Sequence, residues 1–198
     1  MNPPQSSDAK PVSVPASASP WQVSLARAIT DPAELIRALR LDPAFLPAAR
    51  QAARLFPLRV TRHFVGLMRP RDPTDPLLRQ VLPLGAELAE VPGYTADPVD
   101  DRAALRGPGV LQKYHGRALL LTTGACAVHC RYCFRRHYPY ADARPAHDGW
   151  RDALRSIAAL PDVEEVILSG GDPLTLSDER LAALVTAIER LPQIRRLR

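Results

Sequence analysis

The chain reads as an α/β protein in which a proline-punctuated helical region is followed by the opening strand–helix units of a parallel sheet. Three observations lead there. Sixteen of the 21 prolines fall before residue 110, a density that breaks long helices and excludes regular central strands. After Gly109, apolar runs of strand length alternate with segments of helical periodicity, the pattern of βαβ units. Three cysteines then fall within eight residues, straight after the first such run.

Taken in order, residues 1–20 are rich in Pro, Ser and Ala without apolar periodicity, and are expected to form a disordered tail. Residues 21–110 are expected to form a region of short helices. Asp31-Pro32 offers an N-cap and a proline at the first helical position, with Glu34 where a capping box would put it. Asp42-Pro43 and Asp75-Pro76 repeat the device ahead of AFLPAARQAARLF and LLRQVL. No internal repeat of solenoid length is present. Residues 111–198 are expected to hold the sheet. Arg117–Thr123 (RALLLTT) is a buried strand by its apolar run. Gly149–Leu160 has helical spacing through Trp150, Leu154, Ile157 and Ala158, and Pro161 closes it. Val163–Ser169 (VEEVILS) is a second strand, ending in Gly170-Gly171-Asp172-Pro173. Ser177 caps a helix running to about Leu191, with Leu181, Leu184, Val185 and Ile188 on one face. Ile194–Arg198 begins a third strand.

Composition narrows the function classes. At 198 residues the chain is long enough for one good core or two small domains. Its 46% hydrophobic and 24% charged content is that of a soluble globular protein. The net charge of +5 comes from 24 Arg and 2 Lys against 21 acidic residues. The arginines are spread along the chain rather than packed in a run, so nucleic acid is not an expected partner. No apolar stretch approaches the roughly 18–20 residues of a membrane span, and the first 20 residues lack the apolar core of a signal peptide. A cytoplasmic protein is expected. Three clustered cysteines make a poor disulfide framework and a good metal-ligand set, which fits a reducing compartment.

The informative segment is Cys126-Ala-Val-His-Cys130-Arg-Tyr-Cys133, a C-x3-C-x2-C loop following a strand. Three soft thiolates can hold three irons of a [4Fe–4S] cluster and leave the fourth iron without a protein ligand. An open iron can chelate the amino and carboxylate groups of S-adenosylmethionine (SAM), and electron transfer into the sulfonium then yields a 5′-deoxyadenosyl radical. The rival is a structural zinc site with His129 or His137 as fourth ligand. Zinc sites of that kind usually pair their ligands as C-x2-C at two separated corners, unlike this loop. Ser169-Gly170-Gly171-Asp172-Pro173 lies at the carboxyl end of a strand, where parallel sheets present ligand-binding loops. Adjacent glycines there let backbone amides approach a ligand closely.

With Tyr132 before the last cysteine and the glycines some forty residues on, the chain resembles the radical SAM superfamily. KYHGRALLLTTGACAVHCRYCFRRHYPY is similar to the lysine 2,3-aminomutase family, in which a Cys-x-Arg-Arg element follows the cluster. KYHGR, the Cys-Phe-Arg-Arg-His ending and Pro-Tyr resemble the branch that makes β-lysine for attachment to translation elongation factor P. FPLRV, DPLLRQVLP and PGYTADPV are also similar to that branch, so the resemblance covers roughly Trp21 to Arg198. It implies a partial (β/α)6 TIM-like barrel and an isomerase that converts L-α-lysine to β-lysine. The implied cofactors are a [4Fe–4S] cluster on Cys126, Cys130 and Cys133, SAM, and pyridoxal 5′-phosphate (PLP). Tyr132, Gly170, Gly171 and Asp172 would face SAM, the glycines holding its methionyl amino group. Arg117, nine residues before Cys126, matches the family's PLP-phosphate arginine, and Arg135 matches the arginine that pairs with the substrate carboxylate. Both roles suit a guanidinium, which meets phosphate or carboxylate bidentately. The implied partners are L-lysine, an external one-electron reductant, elongation factor P and its lysyl ligase.

A PLP enzyme of this kind needs a Schiff-base lysine, and the only lysines are Lys10 and Lys113. The family places that lysine, and the acidic residues for the substrate's ε-ammonium, farther downstream. A barrel of about six strand–helix units of roughly 30 residues each is also longer than the segment after Arg117. The chain is therefore expected to be an N-terminal fragment, truncated after the first two and a half barrel units. Two alternatives stand beside the leading reading. One is another amino-acid 2,3-aminomutase of the superfamily, and the other is a zinc-stabilised, non-catalytic binding module.

Overall fold

The computed structural model describes residues 18–138 and 148–198. Most of the expected N-terminal tail, Lys10 and the Pro139-Tyr140 pair lie outside the described residues.

The first half is built from short helices: α1 (Pro20–Ala26), α2 (Pro32–Ala38), α3 (Leu46–Leu55) and α4 (Arg62–Gly66). A 3-10 turn, Pro43–Phe45, precedes α3, and two more, Leu78–Gln80 and Gly85–Leu88, follow α4. The Asp-Pro devices act as read. Asp31 accepts the Ala33 amide at 2.9 Å, and Asp42 accepts the Ala44 amide at 2.8 Å. Asp75, buried, accepts the amides of Leu77 and Leu78 at 2.9 and 3.0 Å. Glu34 departs from its capping-box role, because its carboxylate pairs with Arg62 of α4 instead. LLRQVL forms a 3-10 turn rather than a full helix, its Leu78, Val81 and Leu82 filling a core with Ile29, Leu35, Ile36, Leu58 and Val60.

The second half is a five-stranded mixed sheet in the order β1 (Leu105–Gly107), β2 (Val110–Tyr114), β3 (Arg117–Thr123), β4 (Glu165–Gly170) and β5 (Arg196–Leu197). The sheet begins earlier than the sequence reading placed it. β1 and β2 form an antiparallel hairpin around Pro108-Gly109, with Gly109 at φ 70°, and β2 pairs antiparallel with β3. β3, β4 and β5 are parallel, as the alternation of strand and helix required.

The crossovers are α5 (Arg151–Ala158) between β3 and β4, and α6 (Asp178–Glu189) between β4 and β5. Trp150, expected within the first crossover helix, sits just ahead of it at φ 64°. Its buried indole N–H donates to the Thr122 carbonyl at 3.0 Å and pins the crossover to β3. Ser177 caps α6 through the Arg180 amide at 3.4 Å. Ala153 and Ile157 of α5, with Leu184 and Ile188 of α6, close over Val110, Ala118, Leu120 and Val166. Among the described residues no helix is long and apolar enough to cross a membrane.

Candidate functional site

Because β3 and β4 run parallel, their carboxyl ends deliver two loops side by side. The cysteine loop follows β3 and the glycine turn follows β4. The Gly171 amide donates to the Thr123 carbonyl and the Asp172 amide to the Ala125 carbonyl, both at 2.7 Å. Gly170 has φ +112°, and a Cβ there would lie 2.4 Å from the Thr123 oxygen. At Gly171 the same atom would lie 2.0 Å from the Ala125 oxygen. These amides were expected to approach a ligand. The amides of Gly171 and Asp172 join the glycine turn to the end of β3 and the root of the cysteine loop, and that close backbone contact requires glycine at 170 and 171. Asp172 caps the Pro173–Thr175 turn through the Leu174 amide at 3.0 Å.

The three cysteines are free and half-buried, and the Cys133 amide donates to the Cys130 carbonyl at 3.1 Å. Burial, with Cys133, Asp172 and Cys130 nearby, pushes the Cys126 thiol up to about 11, opposed by Arg59. Burial and then Cys133 also raise the Cys130 thiol. Thiols that suppress one another's ionisation ionise together once a cation joins them. This soft donor set fits iron–sulfur ligation. Among the described residues no three His, Cys, Asp or Glu side chains already stand at metal-holding distance, so the thiols are neighbours rather than a closed cage.

What holds this loop is the helical half of the molecule, which the sequence reading had left without a role at the site. Val128 packs on the helical core. The His129 amide donates to Arg59 and the Arg131 amide to Gln80, at 2.9 and 2.7 Å. Arg131 grips Glu87 bidentately, Nε–Oε1 2.9 Å and Nη2–Oε2 2.6 Å. Arg136 pairs with the same carboxylate. Both guanidiniums lie over the Phe56 ring, at 5.0 and 5.3 Å. His129 Nδ1 is 2.9 Å from the Pro57 carbonyl, and the ring stacks on Phe56 at 5.2 Å between centroids. Burial lowers its pKa, against the Pro57 carbonyl contact, which raises it. The carbonyl contact engages Nδ1 alone, which leaves Nε2 as the nitrogen a metal would take. His137 is exposed.

Arg135, whose side chain is 9% exposed, donates from Nε to Asp101 at 2.7 Å and from Nη1 to Ser169 Oγ at 3.0 Å. It thereby links the cysteine loop to the end of β4. Lys113 sits on the other oxygen of the same carboxylate, Nζ–Oδ1 2.7 Å. Tyr132 is 71% exposed. Arg117 is not brought to this site. It lies at the amino end of β3, roughly 20 Å from Thr123 at about 3.3 Å per residue. There its Nε is 3.3 Å from the buried Glu165, which Arg198 also pairs at 2.9 Å.

Residues 105–195 match the family model described as a 4Fe-4S single cluster domain. The L-lysine 2,3-aminomutase of Escherichia coli K12 is 49% identical over 179 residues, 90% of this chain and 52% of that protein. Its counterpart from Haemophilus influenzae is 41% identical over 178 residues, 90% of this chain and 53% of that protein. The L-lysine 2,3-aminomutase of Clostridium subterminale is 29% identical over 175 residues, covering 88% and 42%. The chain spans about half the length of the curated relatives it matches. Identity of 49% and 41% over nine-tenths of this chain makes it a member of the lysine 2,3-aminomutase family.

Proposed function

We propose that the protein carrying this chain is a radical SAM, PLP-dependent L-lysine 2,3-aminomutase that supplies β-lysine for modification of elongation factor P. The observation that carries this reading is the docking of the cysteine loop on the glycine turn, at the shared carboxyl edge of β3 and β4. The sheet would belong to a partial (β/α)6 barrel in a cytoplasmic enzyme that draws on an external one-electron reductant. The bound cofactors supply a hydrogen-abstracting radical and an electron-delocalising carbonyl. The chain's own residues bind and orient. Cys126, Cys130 and Cys133 hold the cluster, with Arg131, Arg136 and Glu87 fixing the loop. Tyr132, Gly170, Gly171 and Asp172 border the SAM position. Arg135 receives the lysine carboxylate. Arg117 would meet the PLP phosphate only on leaving its pair with Glu165. The assignment to the elongation factor P branch, with its lysyl ligase as downstream partner, rests on KYHGR and Cys-Phe-Arg-Arg-His.

The test is anaerobic reconstitution with iron and sulfide. A brown cluster is expected in the parent protein and is expected to be lost in Cys126→Ala, Cys130→Ala and Cys133→Ala. The longer protein that carries this chain, loaded and given SAM, PLP, reductant and labelled lysine, is expected to release β-lysine, whereas the 198-residue chain alone is expected to form none. Stoichiometric zinc with no iron uptake would overturn the reading in favour of a zinc-stabilised module. Turnover of a different amino acid would redirect it to another aminomutase.

A further inference from the structure

A cleft of about 420 Å³ opens beside the cysteine loop, walled by Val99, Leu111, Leu119 and Phe134, with Asp101, Lys113 and Arg135 at its polar end. Asp101 is 3% exposed in its side chain and carries two cations, Arg135 on Oδ2 and Lys113 on Oδ1, each at 2.7 Å. With the Asp97 carboxylate accepting the Asp101 amide at 2.9 Å, acids and bases are balanced at the end of an apolar trough, and what that end offers a ligand is a guanidinium already held in place. That combination suits a ligand with a carboxylate head and an aliphatic body. Arg135 has donors to spare for it. A guanidinium carries five N–H groups, and the contacts to Asp101 and Ser169 engage Nε and Nη1.

We propose that Asp101, itself ion-paired with Lys113, is the positioning residue that presents Arg135 to an amino-acid carboxylate in this cleft. This rests on the reading of Arg135 as the substrate-carboxylate arginine and adds two residues to it. The main chain at Asp101 is held as well: its amide donates to Asp97 at 2.9 Å. A guanidinium gripped at Nε and Nη1 keeps one orientation, which spares a ligand the ordering of a long side chain. The Ser169 contact aligns that orientation with the glycine turn. Arg135 also lies 4.7 Å over the Phe134 ring, which limits its swing on the open side.

The experiment compares binding of L-lysine with that of lysinamide, which lacks the carboxylate, by calorimetry on the cluster-loaded longer protein that carries this chain, together with KM and kcat. The parent is expected to prefer lysine by tenfold or more. Asp101→Asn and Lys113→Met are each expected to reduce that preference at least threefold, raising KM with little change in kcat, the pattern of lost uniform binding. Asp101→Glu and Lys113→Arg are expected to restore most of it. Iron content and far-ultraviolet dichroism report whether each variant folds. If Asp101→Asn fails to fold, the partly exposed Lys113→Met carries the test. Preference lost in Arg135→Lys but unchanged in Asp101→Asn and Lys113→Met would overturn this proposal alone. Preference unchanged in all three would overturn the role of Arg135 itself.

Discussion

A methyl group at Gly171 would be driven to 2.0 Å from the Ala125 carbonyl oxygen, and backbone, unlike a flexible side chain, has little room to give. Gly171→Ala is therefore expected to cost at least the roughly 1–3 kcal/mol typical of overpacking. It should also displace the loop that begins at Cys126, lowering the iron bound on reconstitution. Gly66 is the control, since it is helical and has nothing within 4 Å of a built Cβ. Gly66→Ala is expected to gain about 0.5–1 kcal/mol, read by urea denaturation alongside iron content. Asp75 gives a pH signature. The Leu78 amide, with Arg69 and the Leu77 amide, outweighs burial and holds its carboxyl down at about 2. A depressed folded-state pKa contributes stability that is fully present above about 4 and lost as pH falls toward 2. The Tm difference between the parent and Asp75→Asn should accordingly shrink over that window. Residues whose chemistry demands a fixed spacing, the cysteines and the Asp-Pro caps, were legible in the sequence. Glu87 was not, because its arginine partners lie 44 and 49 positions away and no local pattern announces them.

At the scale of elements, the parallel strands β3 and β4 and their crossover helices were readable because burial writes itself into apolar runs and helical periodicity. The β1–β2 hairpin was not. β1 has three residues and ends in glycine, and its partner follows a proline–glycine turn inside a proline-rich stretch, so no alternation has room to show. The 3-10 turn Gly85–Leu88 was equally silent, yet it carries the carboxylate that fixes the cysteine loop. Burial opposes ionisation of Glu87, but Arg131, the Leu84 amide and Arg136 together hold its carboxyl below the usual range. Removing it strands two mostly buried guanidiniums. Glu87→Ala is expected to cost about 3–5 kcal/mol, as when a buried ion pair loses one partner. The reconstituted variant should also lose iron to a chelator at least several-fold faster than the parent. Arg136→Ala, which leaves the bidentate Arg131 pair intact, should show a clearly smaller effect in both measurements.

The described residues hold two main hydrophobic cores, one of helices between Ile29 and Leu82 and one of sheet and crossover helices between Val110 and Ile188. The cysteine loop touches both. It leaves the sheet at Thr123, is tied to the glycine turn at Ala125, and is received by the helical half at Val128, His129 and Arg131. A cluster that ties Cys126, near the sheet, to Cys130 and Cys133, on either side of Arg131, would join the two cores through one covalent unit. Metal that binds the folded chain and not the unfolded one adds its binding free energy to folding. Loading is therefore expected to raise the melting temperature of both halves and to bring their transitions together. Calorimetry of apo and loaded protein checks this, with Trp150 fluorescence following the sheet and Trp21 fluorescence following α1 in single-tryptophan variants. The expected outcome is two separable transitions, or one broad one, in apo protein and a narrower, higher one after loading. Glu87→Ala should keep the transitions apart even when iron is bound, because the cysteines would then be held by the sheet without the helical clamp. Coincident transitions in apo protein, unchanged by iron, would mean that the two cores are already one cooperative unit and that the loop contributes binding without coupling.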